Sequence, residues 1–193
     1  MKIFGVLVII MLCIAMVIAG AFMLVTSIGE RDIFTLVERD ERDIRTLAEQ
    51  GDMYAQTNLG FMYYLGEGVP QDYEQAVYWY RLAAEQGYPR AQGYLGFMYF
   101  HGLGTAQNYE QALHWYHLAA EQGEAWVQTN LGFIYYLGEG VPQDFEQAVH
   151  WYRLAAAQGY SRAQNNLGYM YEHGLGVPQS YEQAEFWYRL AWD

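Results

Sequence analysis

Apolar positions in this chain fall into helical stripes broken at regular intervals by turn residues. In the stretch opening at Gly51, Ala55, Leu59, Met62 and Tyr63 are three or four residues apart or adjacent, which places them on one face of a helix. Gly66-Glu67-Gly68-Val69-Pro70 interrupts the stripe with turn-forming residues. A second stripe runs through Tyr73, Ala76, Tyr80 and Ala83, with Trp79 alongside, and Gly87 stops it. Asp72 stands at the N-cap of that second helix and Gln75 at the capping-box position; Asn108, Asp144 and Ser180 offer equivalent caps further on. The pattern predicts a helix-turn-helix pair.

The pair is written four times, opening at Gly51, Gly87, Gly123 and Gly159. Each copy carries x-Leu-Gly-x-x-Tyr-x-x-Gly-x-Gly and then Glu-Gln-Ala-x-x-Trp-Tyr. Constant spacing of this kind predicts an all-α fold, an α/α superhelix in which each unit buries its apolar face on its neighbours. A mid-helix glycine costs about 1 kcal/mol, so the return of Gly60 as Gly96, Gly132 and Gly168 predicts close helix-helix approach. The third copy is closer to the first, and the fourth to the second: Thr57-Asn58 returns as Thr129-Asn130, and His101-Gly102-Leu103-Gly104 as His173-Gly174-Leu175-Gly176.

Asn58-Leu59-Gly60-x-x-Tyr63, Gly66-Glu67-Gly68-Val69-Pro70-Gln71-Asp72-Tyr73 and Ala76-x-x-Trp79-Tyr80 resemble the Sel-one-like repeat family, short helical pairs related to tetratricopeptide repeats. The resemblance covers residues 51–193 in units of 51–86, 87–122, 123–158 and 159–193. It implies a superhelical scaffold for protein partners. Ala106 departs from the family pattern where the other copies have the loop proline. The disulfides of cysteine-rich members have no counterpart, because Cys13 is the sole cysteine.

Ahead of the repeats, Ile3 to Val25 is an uncharged apolar run. As a helix it is about 34 Å long, enough for a bilayer core of about 30 Å. Residues 1–29 are read as an uncleaved transmembrane signal anchor, with cleavage after Ala19-Gly20-Ala21 and secretion as the alternative. Positive-inside counting over Arg31, Arg39, Arg42 and Arg45 places the repeats in the cytoplasm. The Met-Lys start on a long apolar helix resembles a signal anchor that exports the chain beyond it, and the periplasmic side is the expectation adopted. Residues 30–50 form a helical connector, and Arg45 to Gly51 aligns with Arg81 to Gly87 as a degenerate second helix that caps the first repeat.

Charge and reactive residues narrow the function. A net charge of −12 with no Lys or Arg cluster excludes a phosphate-backbone partner, so nucleic acid is not expected. Some members of the resembled family have been linked to β-lactam binding. A Ser-x-x-Lys nucleophile is nevertheless excluded by the absence of any lysine beyond Lys2. Gly66-x-Gly68 lacks the third glycine and preceding strand of a dinucleotide loop. His114, His117 and His150 have no carboxylate or cysteine clearly joining them as metal ligands. No enzyme activity, cofactor or metal is expected.

The first helix of each copy has a second stripe: Tyr54, Asn58, Phe61 and Tyr64 or Leu65 in the first copy. It becomes Arg90, Phe97, Phe100 and His101, then Trp126, Asn130, Phe133, Tyr136 and Leu137, then Arg162, Asn166, Tyr169, Glu172 and His173. In related tetratricopeptide folds these positions line the concave groove. Aromatic residues and arginine dominate binding hot spots, and asparagines at the like position in related repeats bond a peptide backbone. The column Phe61, Phe97, Phe133 and Tyr169 has two readings, packing between first helices or partner contact; Tyr54, Arg90, Trp126 and Arg162 vary more than packing requires. The expected function is an anchored scaffold that binds a protein or peptide in this groove. An envelope protein that binds or hydrolyses cell-wall or β-lactam-type ligands and a self-assembling repeat protein are the alternatives. In the last copy Glu185 replaces Val77, Leu113 and Val149, and Trp192 replaces Ala84, Ala120 and Ala156 as an expected lid over the stack.

Overall fold

The computed structural model describes residues 43–192, with a helical stretch over 43–49 followed by four helix pairs and, among the described residues, no strand. The pairs are α1 (Met53–Leu65) with α2 (Tyr73–Glu85), α3 (Pro89–His101) with α4 (Tyr109–Glu121), α5 (Ala125–Leu137) with α6 (Phe145–Ala157), and α7 (Ser161–His173) with α8 (Tyr181–Leu190). No helix among these residues is long and apolar enough to cross a membrane. The expected anchor over 1–29 and most of the connector over 30–50 lie outside the described residues.

Within a pair, the odd and even helices meet through a glycine and a tyrosine. The Tyr80 ring lies so close to Gly60 that a Cβ there would sit 2.8 Å from it, and Tyr116, Tyr152 and Tyr188 face Gly96, Gly132 and Gly168 in the same way. Tyr80, Tyr116 and Tyr152 are buried almost completely. The repeated mid-helix glycine is therefore a steric requirement, as the sequence predicts.

The turn between the helices is closed by side chains. Gly66 ends α1 in the left-handed region at φ 75°, and a Cβ at this position would press on Gln71 at 3.0 Å. Gln71 donates its side-chain amide to the Tyr64 carbonyl at 2.9 Å, satisfying a helix-end acceptor; Gln107, Gln143 and Gln179 do the same in later pairs. Asp72, Asn108, Asp144 and Ser180 cap the even helices through their side chains. The capping box expected at Gln75 differs in its second half. The Asp72 backbone N–H already donates to the Tyr63 carbonyl at 2.9 Å, so a Gln75 side chain has no donor left to accept from. This cross-helix bond recurs at Asn108, Asp144 and Ser180.

Successive pairs stack through alanine-lined seams and a ladder of glutamines. Ala83, Ala84, Ala91, Leu95 and Met98 form one such buried seam between α2 and α3. Across it, Gln92 donates to the Ala84 carbonyl of the preceding pair at 3.3 Å and accepts from Gln122, at the end of α4 in its own pair, at 2.8 Å. Gln56 and Gln128 make the same two bonds. Gln56, Gln92 and Gln128 are buried, and their amides meet partners because the repeat spacing returns them to register. Gln164 donates to the Ala156 carbonyl at 3.3 Å, and its buried Oε1 has no hydrogen-bond partner among the described residues.

At the leading edge, the 43–49 helix takes the place of a preceding even helix. Ala48 is buried against Ala55, Leu59 and Trp79, and its carbonyl accepts from Gln56 as Ala84 accepts from Gln92. At the other edge, Glu185 is exposed in the column that Val77 and Val149 bury. The expected lid does not form: Trp192 is 86% exposed, because α8 ends at Leu190 and Ala191 caps it before the indole can reach back over the stack.

Candidate binding groove

The odd helices carry a face that the stack leaves half open. Phe61, Phe133 and Tyr169 are each about two-fifths exposed and Phe97 is half-buried. Their ring neighbours are Tyr64, Tyr94, Tyr136, His101 and His173, and none of the four pairs with another of the column. Phe61 to Tyr94 and Tyr64 to Phe97 join α1 to α3, and Tyr136 to Tyr169 joins α5 to α7, so the column packs neighbouring odd helices together while part of each ring stays open to solvent.

A cavity of about 470 Å³ opens on this face, within the size range of ligand sites. Its walls are Phe61 and Tyr64 of α1, Tyr94, Phe97 and Phe100 of α3, and Trp126, Asn130 and Phe133 of α5, with Arg162 of α7. A second hollow of about 160 Å³ lies between Phe133, Tyr136, Tyr152, Asn166, Tyr169 and Met170. Of the groove positions expected from sequence, Tyr54, Asn58, Leu65, Arg90, Leu137, Glu172 and His173 line neither hollow, and the others are divided between the two. Tyr54 is 56% exposed and meets Tyr88 edge-on at 5.0 Å; Asn58 and Arg90 are exposed.

The larger hollow is built by two departures in the second repeat. Gly93 occupies the column of Thr57, Thr129 and Asn165. A Cβ there would lie 2.5 Å from the Trp126 indole and 2.6 Å from Val127, so the missing side chain is what lets Trp126 settle against α3. Tyr94 occupies the column of Asn58, Asn130 and Asn166. Its ring lies 5.4 Å from Trp126, 5.8 Å from Phe61 and 5.0 Å from the buried Tyr80, tying three walls of the cavity together. Sequence reasoning missed Tyr94 by following the asparagines of that column. The available signal was the change from Thr-Asn to Gly93-Tyr94 in one copy only.

The asparagines have an internal task as well. Asn130 lies beside the Tyr116 hydroxyl and Asn166 beside that of Tyr152, each offsetting a small part of the upward shift that burial imposes on the phenol. Burial holds the Tyr80, Tyr116 and Tyr152 hydroxyls far above the ordinary phenol range, so they stay neutral and act only in hydrogen bonds. Tyr188 is pushed up to about 12, by burial first and then by the Glu172 carboxylate, to which it donates at 2.7 Å. None of these groups is poised for proton transfer near neutral pH.

His117 is the other shifted group of note. Burial lowers its pKa, partly offset by Glu121, and its Nε2 lies 3.3 Å from the Tyr135 hydroxyl. His114 and His150 are exposed, and no group of three His, Cys, Asp or Glu suited to a metal ion occurs among the described residues. The arrangement can present rings, an arginine and amides to a ligand surface.

The Sel1 repeat model matches residues 54–88, 89–124, 127–160 and 161–191. Among solved structures, the chain is similar to a protective antigen present in uropathogenic Escherichia coli strains, which displays an SLR fold. The TM-score is 0.75 at 42% identity, over 78% of this chain and 32% of that one. A Sel1 repeat protein from Oxalobacter formigenes gives a TM-score of 0.70 at 40% identity, over 77% of this chain and 43% of that one. The chain thus spans less than half the length of either protein. No curated protein matches.

Proposed function

The chain belongs to the Sel1 repeat family, and on that ground we propose that it is a membrane-anchored scaffold holding a protein or peptide segment in its aromatic groove. Sel1 repeat proteins are generally scaffolds for protein-protein interaction and are typically non-catalytic. The observation that carries the finer reading is the 470 Å³ cavity, whose lining comes from all four odd helices, with Phe61 and Phe133 about two-fifths exposed. Large half-exposed rings around a concavity are the anatomy of a hot spot. The stacked, buried glutamine ladder supports the same reading, because it holds those helices in one register and spares a partner the cost of ordering them.

Photo-crosslinking in cells tests the groove. A photoreactive phenylalanine analogue at position 133 is expected to trap a partner, while the same group at exposed Tyr78 on α2 does not. Equal yields at both positions would remove the groove assignment. Anchoring by residues 1–29, with the repeats on the periplasmic side, is the localisation that goes with this reading. Protease added to spheroplasts should degrade the repeats; full protection in sealed spheroplasts would move them to the cytoplasm.

A second reading, self-association, is favoured by one observation. Tyr181, Phe186 and Trp192 are 69%, 41% and 86% exposed on and beside α8. Light scattering that rises to a defined oligomer with protein concentration, and falls on Phe186→Glu, would support it.

A further inference from the structure

The cations of the repeats separate into two sets. Arg45, Arg81 and Arg153 share one column and reach the hydroxyls of Tyr63, Tyr99 and Tyr171 at 3.3, 2.8 and 2.8 Å. His117 fills that column in the second repeat, against Tyr135 at 3.3 Å, and Arg189 holds it in α8. These side chains belong to the stack. Arg90 and Arg162 belong to the other set: both are exposed, both lie in the first turn of an odd helix, and neither forms an ion pair among the described residues.

A cation in the first turn opposes the helix dipole, which favours anions there. Neither arginine is therefore placed for the benefit of its own helix. Their column is the variable one, Tyr54, Arg90, Trp126 and Arg162, so along the stack it reads ring, cation, ring, cation. Arg162 lines the large cavity together with the Trp126 ring. The second hollow at Tyr136 and Tyr169 carries the same surface into the last repeat, which suits an occupant longer than a single compact molecule.

We propose that the groove receives an acidic peptide segment, with one bulky apolar side chain in the hollow between Phe61, Tyr94 and Trp126 and a neighbouring Asp or Glu side chain on Arg162. The inference rests on the groove reading above and adds the chemistry of the occupant. Gly93 sets the anchor's size by letting Trp126 retreat against α3. Glu139 also faces the cavity, from the Gly138–Gly140 turn, and limits the match to an isolated acid beside the anchor; a run of acids would meet its carboxylate.

The test is a library of random segments of about twelve residues, displayed internally so that no terminal carboxylate is free, and panned on the immobilised full-length chain. Enriched segments are expected to carry Trp, Phe or Leu within about three residues of Asp or Glu. Their affinity should fall at least about thirtyfold on Phe61→Ala, the loss of a hot-spot wall. It should fall about three- to fivefold on Arg162→Gln, the worth of an exposed ion pair. Changing the segment's acid to its amide should abolish sensitivity to Arg162→Gln without further loss. Both protein substitutions are at exposed positions, and unchanged far-ultraviolet circular dichroism verifies the fold. Basic or uncharged segments that depend on Phe61 and ignore Arg162 would overturn the acidic assignment while leaving the groove in use. If no segment depends on Phe61, the groove reading falls with it.

Discussion

Replacing Gly132 with alanine tests the contact on which each helix pair is built. The new methyl would lie 2.5 Å from Cε1 and 2.6 Å from Cδ1 of Tyr152, and 3.1 Å from the Ala148 carbonyl oxygen. Carbon atoms in contact sit at about 3.5–4.0 Å, so ring or helix must withdraw by about 1 Å. The ring cannot swing into solvent, because Tyr152 is 2% exposed. Overpacking of this kind costs about 1–3 kcal/mol, and alanine returns about 1 kcal/mol of helix propensity. Gly132 has the shortest approach of the four mid-helix glycines facing a tyrosine, which puts it at the upper end, for a net loss of about 2 kcal/mol. In a chain of this size that lowers Tm by about 4–8 °C. Thermal melts followed at 222 nm would measure it. The same change at Gly168 should cost less, since Tyr188 is only half-buried and can yield. A Gly132→Ala protein at least as stable as its parent would refute the close-approach argument. So would failure of Tyr152→Leu to recover stability in the double variant, because the two sites would then be uncoupled.

Gly93→Ala should expel the Trp126 indole from its slot and red-shift tryptophan emission, with loss of groove binding and little loss of helix content; an unchanged spectrum would contradict the placement of the indole. Asp144→Ala removes the bond to the Gln147 amide and should cost about 1 kcal/mol, seen in chemical denaturation, with faster hydrogen exchange at that amide. Tyr188 titrates at about 12 in the folded chain against about 10 unfolded, so the folded state retains the proton. Its stabilising contribution is therefore complete below pH 10 and lost as pH rises through 12. Absorbance at 295 nm should show Glu172→Gln moving one tyrosine back toward pH 10; no movement would remove the carboxylate as a cause.

The sequence carried those features that depend on one residue at one repeat position. The mid-helix glycines, the Asp72, Asn108, Asp144 and Ser180 caps and the turn glycines could be read because each recurs where its local backbone needs it. Features that join two columns were hidden. Gln92 reads as a polar residue on a helix until α2 and α4 bring Ala84 and Gln122 to it. Gly93 reads as a blemish in a helix until Trp126, in another repeat, is seen to need the space. The capping box failed for the same reason: the Asp72 amide is claimed by Tyr63, a partner on the preceding helix. Trp192 looked like a lid because its column is buried elsewhere, but Ala84 and Ala156 are covered by side chains of another helix, such as Ala91 and Ala163, a contact between columns that the sequence pattern does not display.

The glutamine ladder also governs how a gene for such a protein can change length. Each rung spans 30 residues forward and eight back, as in Gln122 to Gln92 and Gln92 to Ala84. Duplicating or deleting one whole period leaves every rung matched. An insertion of any other size within a helix pair would strand amides in a dry interior, at about 1–3 kcal/mol for each unpaired group. Unequal recombination between repeats is thereby tolerated, while small indels in the helices are purged. Chain length in this architecture is inherited in quanta, and the size of the quantum is set by a hydrogen bond.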